Sequence, residues 1–236
     1  MKGVILAAGR GSRLGETTAV LPKPLLEVGG QRCIDFAIAA LGAVCDEIVV
    51  VIGYQGELIE AHLAQHHAHA PVRAVRNPTP EAGNLTSLLT ARAAVADGGF
   101  IVTNADHLFP KDMYTRHFAP GAGVRIAAER NRTILDDEMK VVANGSNLVR
   151  IAKTLTEFEG AYIGTTAVSA DAAQDYWQAF DRVMAREDLR SASVEMVLGE
   201  LAQGPASAPQ VCWIEGLTWF EVDTEEDLAI ARRGLD

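Results

Sequence analysis

The sequence predicts an α/β fold in which helices cover both faces of a doubly wound, mostly parallel sheet that has an antiparallel extension. Two observations support this prediction. In the first half of the chain, continuous apolar runs alternate with helical patterns, as a parallel sheet buried on both faces requires. Beyond about residue 124, short apolar runs follow one another directly, which is typical of antiparallel strands.

Strands and helices alternate strictly in the first half. The predicted strands are, in chain order, GVILAA, EIVVVIG, VRAVR and FIVTNAD. The helical patterns between them are CIDFAIAALGAV, ELIEAHLAQHH and LTSLLTARAAVA. A doubly wound sheet of this kind binds its ligands at the carboxyl ends of its strands.

The second half begins with four short runs that predict strands, namely VRIAAER, MKVV, LVRIAK and AYIGTTAVS. The pair Asn144-Gly145 predicts a tight hairpin between the second and third runs. Residues 171–202 then predict two helices, and GPASAP predicts a loop.

Two strands and a helix are predicted near the C-terminus. The runs VCWIEG and LTWFEVD are rich in the apolar and aromatic residues of strands. Thr224, followed three residues later by Asp227, predicts an N-capped helix that continues through about Arg233.

Composition and charge narrow the functional classes. With 236 residues and 48% hydrophobic content, the chain can bury a substantial core, and we expect a single domain over residues 1–236. A net charge of −10 leaves no global cationic surface for a nucleic acid or an anionic membrane. No apolar stretch approaches the roughly 20 residues needed to cross a bilayer, and the three cysteines form no CxxC pair. We therefore expect a soluble, cytoplasmic protein that captures anionic ligands locally.

A glycine-rich loop follows the first predicted strand. Gly9, Gly11 and Gly15 let backbone N–H groups turn toward an anion and approach it closely, so this loop is a candidate phosphate site. It matches neither of two common nucleotide motifs. A dinucleotide fingerprint would need a glycine at Leu14, and a P-loop would need a Gly-Lys-Ser/Thr sequence.

Two cations accompany this loop, Arg13 within it and Lys23 between Pro22 and Pro24. Proline restricts the backbone, so we expect the lysine to be presented stiffly from an exposed loop. Two fixed cations beside a group of N–H donors suit a polyphosphate better than a single carboxylate. The alternative is a surface loop with ordinary solvated charges.

The segments LAAGRGSRLG and PKPLLEVGG resemble the L-A-A-G-x-G-x-R and P-K-P-L signature of the sugar-phosphate and alcohol-phosphate nucleotidylyltransferases. The later segments EAGNLTSLLTA, IVTNADHLF, LVRIAKTLTEF and WFEVDTEEDL resemble those of cytidylyltransferases for small phosphorylated alcohols, above all inositol-1-phosphate cytidylyltransferases. The likeness spans essentially the whole chain. It implies a Rossmann-like fold of the nucleotide-diphospho-sugar transferase type, with a nucleotide-binding half over about 1–123 and an acceptor-binding half over about 124–236.

The resemblance also implies roles for individual residues. The residues implied to bind the nucleotide are Leu6, Ala7, Ala8, Gly9, Gly11, Asn84, Ser87 and Asp106. Of these, Asn84 and Ser87 open a predicted helix, where side chains are free to hydrogen-bond around the base and ribose. The residues implied to be catalytic are Arg13, Lys23 and Lys153.

A magnesium site is expected where carboxylates converge, since Mg²⁺ prefers a few carboxylates plus phosphate oxygens and water. Asp106 resembles a metal ligand of the family, although an isolated aspartate there also fits a turn. Glu221 and Asp223 alternate across Val222 and so face the same way, which favours a cation nearby. We favour Asp223 as the second ligand with Glu221 as auxiliary. A metal-free role for Asp223 near the start of the last helix stays open.

The charged loop AERNRTILDDEMK lies where the family builds part of its acceptor pocket. Arg130 and Glu138 are therefore candidate acceptor-binding residues, beside Lys153, which resembles the family's lysine for the acceptor phosphate. The alternatives are a solvated charged face for the loop and an exposed lysine on a strand edge for Lys153.

Four histidines lie near the end of the second predicted helix, at His62, His66, His67 and His69. The spacing of the first two invites a metal site, but an HExxH motif is absent and Pro71 follows closely. We therefore favour a helix end, where a charged histidine is favourable, over a metal site.

Together these observations predict a Mg²⁺-dependent enzyme that joins CMP from CTP to a small phosphorylated or phosphonate-bearing alcohol and releases pyrophosphate. The alternatives are a sugar-1-phosphate uridylyl- or thymidylyltransferase and a noncatalytic nucleotide-binding regulatory domain. A transferase that consumes nucleotide sugars is disfavoured. Such enzymes are expected to carry a DxD motif after the fourth strand, and residues 104–107 there supply a single aspartate, Asp106. We expect no nucleic-acid or membrane partner, and a homodimer stays open.

Overall fold

Parallel strands from the first half form one side of the main sheet in the computed structural model, which describes residues 1–15, 17–186, 188, 192–204 and 206–235. The elements of the first half are β1 (Lys2–Ala7), α1 (Thr17–Val20), β2 (Glu27–Val28), β3 (Gln31–Arg32), α2 (Cys33–Leu41), β4 (Glu47–Ile52), α3 (Gly56–His66), β5 (Val72–Arg76), α4 (Asn84–Val95), β6 (Phe100–Asn104) and β7 (His107–Leu108). Those of the second half are β8 (Val124–Glu129), β9 (Lys140–Asn144), β10 (Asn147–Ala152), β11 (Gly160–Val168), α5 (Ala173–Arg186), α6 (Val194–Gln203), β12 (Gln210–Trp213), β13 (Phe220–Glu221) and α7 (Glu225–Leu235).

Within the described residues, the main sheet has nine strands in the order β5-β4-β1-β6-β11-β8-β12-β10-β9. β1 runs parallel to β4 and β6, and β4 runs parallel to β5. β11 then pairs antiparallel with both β6 and β8, while β12 runs parallel to β8. The predicted parallel sheet with an antiparallel extension is confirmed.

Both faces of the sheet are buried at the central strands β1, β4 and β6, as their continuous apolar runs require. The neighbouring residues Val4 and Ile5 of β1 are each 0% exposed and point to opposite faces. Val4 belongs to the core beneath α4, α5 and α6, whereas Ile5 belongs to the core beneath α2 and α3. A smaller third core packs α7 against residues near β2 and β7.

Two local predictions are confirmed by the backbone. β9 and β10 form the hairpin expected at Asn144-Gly145, with Gly145 at a φ of 63°. At the last helix, the N–H of Asp227 donates to Thr224 Oγ1 at 3.2 Å and the N–H of Thr224 donates to Asp227 Oδ2 at 2.8 Å, a reciprocal cap of the expected kind. None of the helices in the described residues is both long and apolar enough to cross a membrane.

The prediction of a full strand over LTWFEVD is wrong. Only β13 forms there, and it pairs antiparallel with β7 in a separate two-stranded sheet. At the C-terminal end of this run, the physical reason is the start of α7. The N–H groups of Asp223 and Thr224 donate to the side chain of Asp227, so they cap α7 instead of extending a strand.

Candidate active site

The carboxyl ends of β1 and β6 bring the glycine loop and Asp106 to one edge of the sheet. Leu6 is in register with Asn104, and the N–H of Ala105 donates to the carbonyl oxygen of Leu6 at 3.1 Å. The loop after β1 and the residues after β6 therefore leave the sheet side by side. This is the edge at which parallel sheets bind ligands.

Gly11 allows the loop to fold closely over Lys23. Gly11 has a φ of 66°, and a Cβ added there would lie 3.0 Å from Lys23 Cβ. A side chain at this position would be strained by the backbone conformation and crowded by the lysine stem. The glycine thus shapes the packing of a cation as well as the path of the loop.

Lys23 is buried, and the prediction that it is presented from an exposed loop is wrong. Lys23 is only 8% exposed. Its Nζ lies 2.6 Å from Oδ2 of Asp106 and 2.5 Å from Oδ1 of Asp223. Two carboxylates that are far apart in the sequence compensate the buried ammonium group, and burial of an unpaired ammonium would be too costly.

The two carboxylates shift the ionisation of the group. Burial lowers the pKa of Lys23, but the charges of Asp106 and Asp223 outweigh burial and leave that pKa above its ordinary value. Burial raises the pKa of Asp106, but Lys23 and a hydrogen bond to His107 outweigh it and hold that pKa well below its usual range. Lys23 and Asp106 are therefore both charged at neutral pH.

Arg13 completes the charge pairing at the mouth of the site. Its Nη2 lies 2.7 Å from Oδ2 of Asp223, and its Nη1 lies 3.6 Å from Oδ2 of Asp137. Asp223 thus bridges the buried Lys23 and the exposed Arg13. Both predicted triphosphate cations meet at a single carboxylate.

His107 is a site residue that the sequence analysis missed. Its Nδ1 lies 2.7 Å from Oδ1 of Asp106, and its Nε2 lies 3.9 Å from Oε1 of Glu221. The ring stacks on Trp219, with centroids 5.4 Å apart, and a Cβ added to Gly164 would clash with the ring at Nε2. The only sequence signal was its position directly after Asp106.

Glu221 and Asp223 take different partners, although both reach the same cleft. Glu221 is in register with His107 and faces it, whereas Asp223 contacts Lys23 and Arg13. Burial raises the pKa of Glu221, and His107 partly offsets this. The expected cation near Asp223 is thus supplied by two side chains of the protein, those of Lys23 and Arg13.

One cavity of about 500 Å³ collects most of the predicted residues. All eight residues predicted to bind the nucleotide line it, as do Arg13, Lys23, Lys153, Glu221 and Asp223. Convergence on a single cavity was the central expectation from the glycine loop and the separated acids. The chemical roles of the individual residues stay predictions.

Asn84 and Ser87 are less free than the sequence suggested. Asn84 Oδ1 accepts a hydrogen bond from the N–H of Val194 at 3.1 Å, which ties the start of α4 to the start of α6. Ser87 Oγ accepts one from Asn77 Nδ2 at 3.1 Å, and both of these side chains are buried. Asn77, which the sequence analysis did not single out, thereby anchors Ser87, a residue that lines the cavity.

A second cavity of about 890 Å³ adjoins the first and shares six lining residues with it, namely Arg13, Asn84, Asn104, Lys153, Glu221 and Asp223. Glu138 lines this second cavity, held by Arg132 at 2.5 Å and 2.9 Å.

Arg130, by contrast, lines neither cavity. Its Nη2 lies 3.6 Å from Glu215, and its guanidinium carbon lies over the Trp213 ring at 5.2 Å from the centroid. The structure thus separates the two predicted acceptor residues of the charged loop and brings Arg132 into the cavity instead.

Comparisons with known proteins bear on the family and the type of fold. Residues 3–135 match the model of the MobA-like NTP transferase domain. The Bifunctional IPC transferase and DIPP synthase of Archaeoglobus fulgidus is 30% identical over 235 residues, which cover 100% of this chain and 44% of that protein. The CMP-5'-(3-aminopropyl)phosphonate synthase of Streptomyces rubellomurinus is 32% identical over 132 residues, which cover 55% of this chain and 21% of that protein.

Among solved structures, that of the inositol-1-phosphate CTP transferase from T. maritima has a TM-score of 0.80 at 20% identity, covering 99% of this chain and 95% of that one. This likeness confirms the predicted type of fold. The chain spans less than half the length of the two curated relatives described above.

Proposed function

Because the chain belongs to the family of MobA-like NTP transferase domains, we propose that it is a Mg²⁺-dependent cytidylyltransferase that joins CMP from CTP to a small phosphorylated or phosphonate-bearing alcohol. The second product is pyrophosphate. Within this proposal the residues before about 124 bind the nucleotide and those after it bind the acceptor.

The names of the relatives support cytidylyl chemistry over other nucleotidyl transfers. One solved relative is a CTP transferase for inositol-1-phosphate, and one curated relative makes a CMP-phosphonate conjugate. These names describe those proteins. They favour CTP and a small acceptor as the first substrates to test here.

The observation that carries the proposal is the meeting of Lys23, Asp106 and Asp223 in one cavity beside the glycine loop. A cavity of about 500 Å³ lies within the usual range of small-molecule sites. Backbone N–H groups at a glycine loop together with two cations suit a triphosphate, whose negative charge needs fixed donors and opposite charge nearby.

The chemistry requires no protein nucleophile. An oxygen of the acceptor's phosphate or phosphonate attacks the α-phosphorus of CTP, a new P–O bond forms, and the bond between the α-phosphorus and the bridging oxygen breaks. The electron pair of that bond leaves with pyrophosphate. Arg13 and Lys23 balance the charge of the triphosphate and of the leaving group, while Lys153 orients the acceptor phosphate.

The acids of the cavity fit a divalent cation. Each oxygen of Asp106 and Asp223 has one partner among Lys23, His107 and Arg13, so each keeps a second lone pair for a ligand. Carboxylate oxygens are the ligands that Mg²⁺ prefers. Asp106 and Asp223 would hold the ion, which when bound would neutralise charge on the α-phosphate.

The adjoining cavities explain how two substrates can meet. Lys153 and Asp223 line both, so a nucleotide in the smaller cavity and an acceptor in the larger one would be in contact at these residues. Lys153 is exposed, and among the described residues no carboxylate pairs with it. Its charge is therefore available to an acceptor phosphate.

A pyrophosphate-release screen tests the proposal. The purified protein with Mg²⁺ is incubated with each of CTP, UTP, ATP, GTP and dTTP, crossed with a panel of alcohol phosphates, phosphonates and sugar 1-phosphates. We expect release with CTP and a small alcohol phosphate or phosphonate. Release only with UTP or dTTP and a sugar 1-phosphate would replace this function with sugar-nucleotide synthesis. Tight CTP binding without release across the panel would indicate a regulatory domain.

A further inference from the structure

A second group of chemically reactive side chains lies outside the active-site cleft, where the start of α2 meets the end of α3. Nε2 of His62 and Nε2 of His67 each lie 2.7 Å from Oδ1 of Asp35. The ligand atoms of the three residues all lie within 4.8 Å of one another. These three residues line neither cavity of the candidate active site.

The fold fixes the carboxylate of this group. Asp35 is the third residue of α2, and its Oδ2 accepts a hydrogen bond from the N–H of Arg32 at 3.0 Å. That bond caps the helix and orients the carboxyl group, so Oδ1 is turned toward α3. A hydrogen bond of this kind, one step removed from the ligand atom, is how proteins hold metal-binding carboxylates in place.

The end of α3 brings the second histidine into position. In a continuous helix, residues five apart lie about 140° apart around the axis and cannot face one partner. α3 ends at His66, and His67 leaves the helical path at φ −124° and ψ 18°. The helix end that the sequence predicted is therefore what allows His62 and His67 to converge on Asp35.

The donor set is that of a transition-metal site. Two imidazole nitrogens and one carboxylate oxygen are the three-ligand combination found around zinc when a fourth position is left to water. The three side chains are 10%, 18% and 18% exposed, in the order His62, His67 and Asp35, so they are held by packing yet reachable from solvent. Two nitrogen donors disfavour Mg²⁺, which prefers oxygen ligands.

The ionisation of Asp35 suits this role. Burial raises its pKa, but hydrogen bonds from both histidines outweigh burial, so its pKa lies below the ordinary value and the carboxylate is charged at neutral pH. With no metal bound, each imidazole must carry a proton on Nε2 to donate to Oδ1. Binding of a metal ion would replace these protons, as it does at other histidine sites.

We propose that Asp35, His62 and His67 form a binding site for a divalent transition-metal ion, best matched by Zn²⁺, that joins the start of α2 to the end of α3. The site is separate from the proposed magnesium site. The ion would tie the end of α3 to α2, which packs against β1 and beside the turn that carries Lys23.

Zinc titration of the full chain tests this proposal. Zn²⁺ is titrated into the wild-type protein in competition with a chromogenic chelator, and the same titration is made on His67→Gln. His69→Gln is the matched control, because His69 is exposed and lies two residues away, outside the group. We expect wild type and His69→Gln each to bind one Zn²⁺. His67→Gln should bind this ion at least tenfold more weakly.

Thermal unfolding gives a second readout. At a hundredfold excess over the dissociation constant, Zn²⁺ should raise the Tm of wild type and His69→Gln by about 5–10 °C and leave that of His67→Gln nearly unchanged. If His67→Gln does not fold, His62→Gln takes its place.

Equal zinc affinity in wild type and in the folded variant, His67→Gln or its replacement His62→Gln, would overturn the proposal. Zinc binding that is lost only in Asp106→Asn would also overturn it, since the ion would then lie in the active-site cleft. Neither result would bear on the proposed cytidylyl transfer, which is measured with Mg²⁺ in the absence of zinc.

Discussion

Lys23→Met tests the proposed site most directly, because methionine keeps much of the length of the lysine stem and removes only the charged group. In the structure, that group touches Asp106 and Asp223 at once. Its loss leaves two neighbouring carboxylates without their shared cation. The substitution should therefore lower both the catalytic rate and the stability of the fold.

The expected losses follow from the environment of the pair. Removing one partner of a buried ion pair costs about 3–5 kcal/mol. Because the side chains of Asp106 and Asp223 are 23% and 19% exposed, water can reach them, and we expect a loss near the lower end. About 3 kcal/mol corresponds to a fall in Tm of roughly 6–12 °C. Loss of a charge-stabilising group in the transition state costs about 2.7–4 kcal/mol, or two to three decades in kcat.

Two assays separate these effects. Urea unfolding gives the free energy of unfolding, and pyrophosphate release at saturating CTP gives kcat for protein that is shown to be folded at the assay temperature. Lys111→Met is the matched control, since Lys111 is exposed and lines neither cavity. Mg²⁺ should stabilise Lys23→Met more than wild type, because the two carboxylates then lack a cation. Unimpaired turnover by folded Lys23→Met would refute the catalytic assignment.

The stability difference between wild type and Lys23→Met should depend on pH with a definite sign. Because the folded-state pKa of Asp106 is depressed, its contribution is present above the ordinary value of 3.8 and is lost as the pH falls further. Because the folded-state pKa of Lys23 is raised, its contribution is present below 10.5 and is lost above it. The difference should shrink below about pH 4. A difference that grows on acidification would show that the pair is not what stabilises wild type.

Further substitutions examine the rest of the cleft. Lys153→Ala should raise the KM for the acceptor about tenfold or more and leave the KM for CTP within twofold, and equal changes in both would argue against an acceptor role. Asp223→Asn should lower kcat by at least two decades and weaken the Mg²⁺ dependence of the rate. Gly164→Ala should destabilise the fold by about 1–3 kcal/mol more than Gly145→Ala, because both glycines have positive φ but only the former would clash with His107. Equal losses in chemical unfolding would count against that packing argument.

The sequence predicted the elements with strong local signals. The runs around β1, β4 and β6 are continuously apolar, and their burial on both faces follows from that pattern. The rule that parallel strands end at one edge then predicted that the glycine loop and Asp106 would meet. Both inferences need only short stretches of sequence and the general geometry of sheets.

The missed features depend on contacts between distant segments. Lys23 is 83 residues from Asp106 and 200 residues from Asp223, so no local pattern could reveal that it is buried between them. The proximity of Asp35 to His62, 27 residues away, likewise depends on how α2 packs beside α3. For the active site, the sequence singled out Lys23, Asp106 and Asp223 but not their direct contact. For the second group it singled out the histidines but not Asp35.

The position of Asp223 has a consequence for how the site is assembled. The family match covers residues 3–135, yet Asp223 reaches the cleft from the far end of the chain and supplies one of the two carboxylates that compensate Lys23. Without it, the buried ammonium group would keep only Asp106, and the exposed Arg13 would lose its nearest carboxylate. Since a buried charge needs its partners, the nucleotide side of the cleft can reach its final charge balance only after the segment that follows β12 has folded onto it.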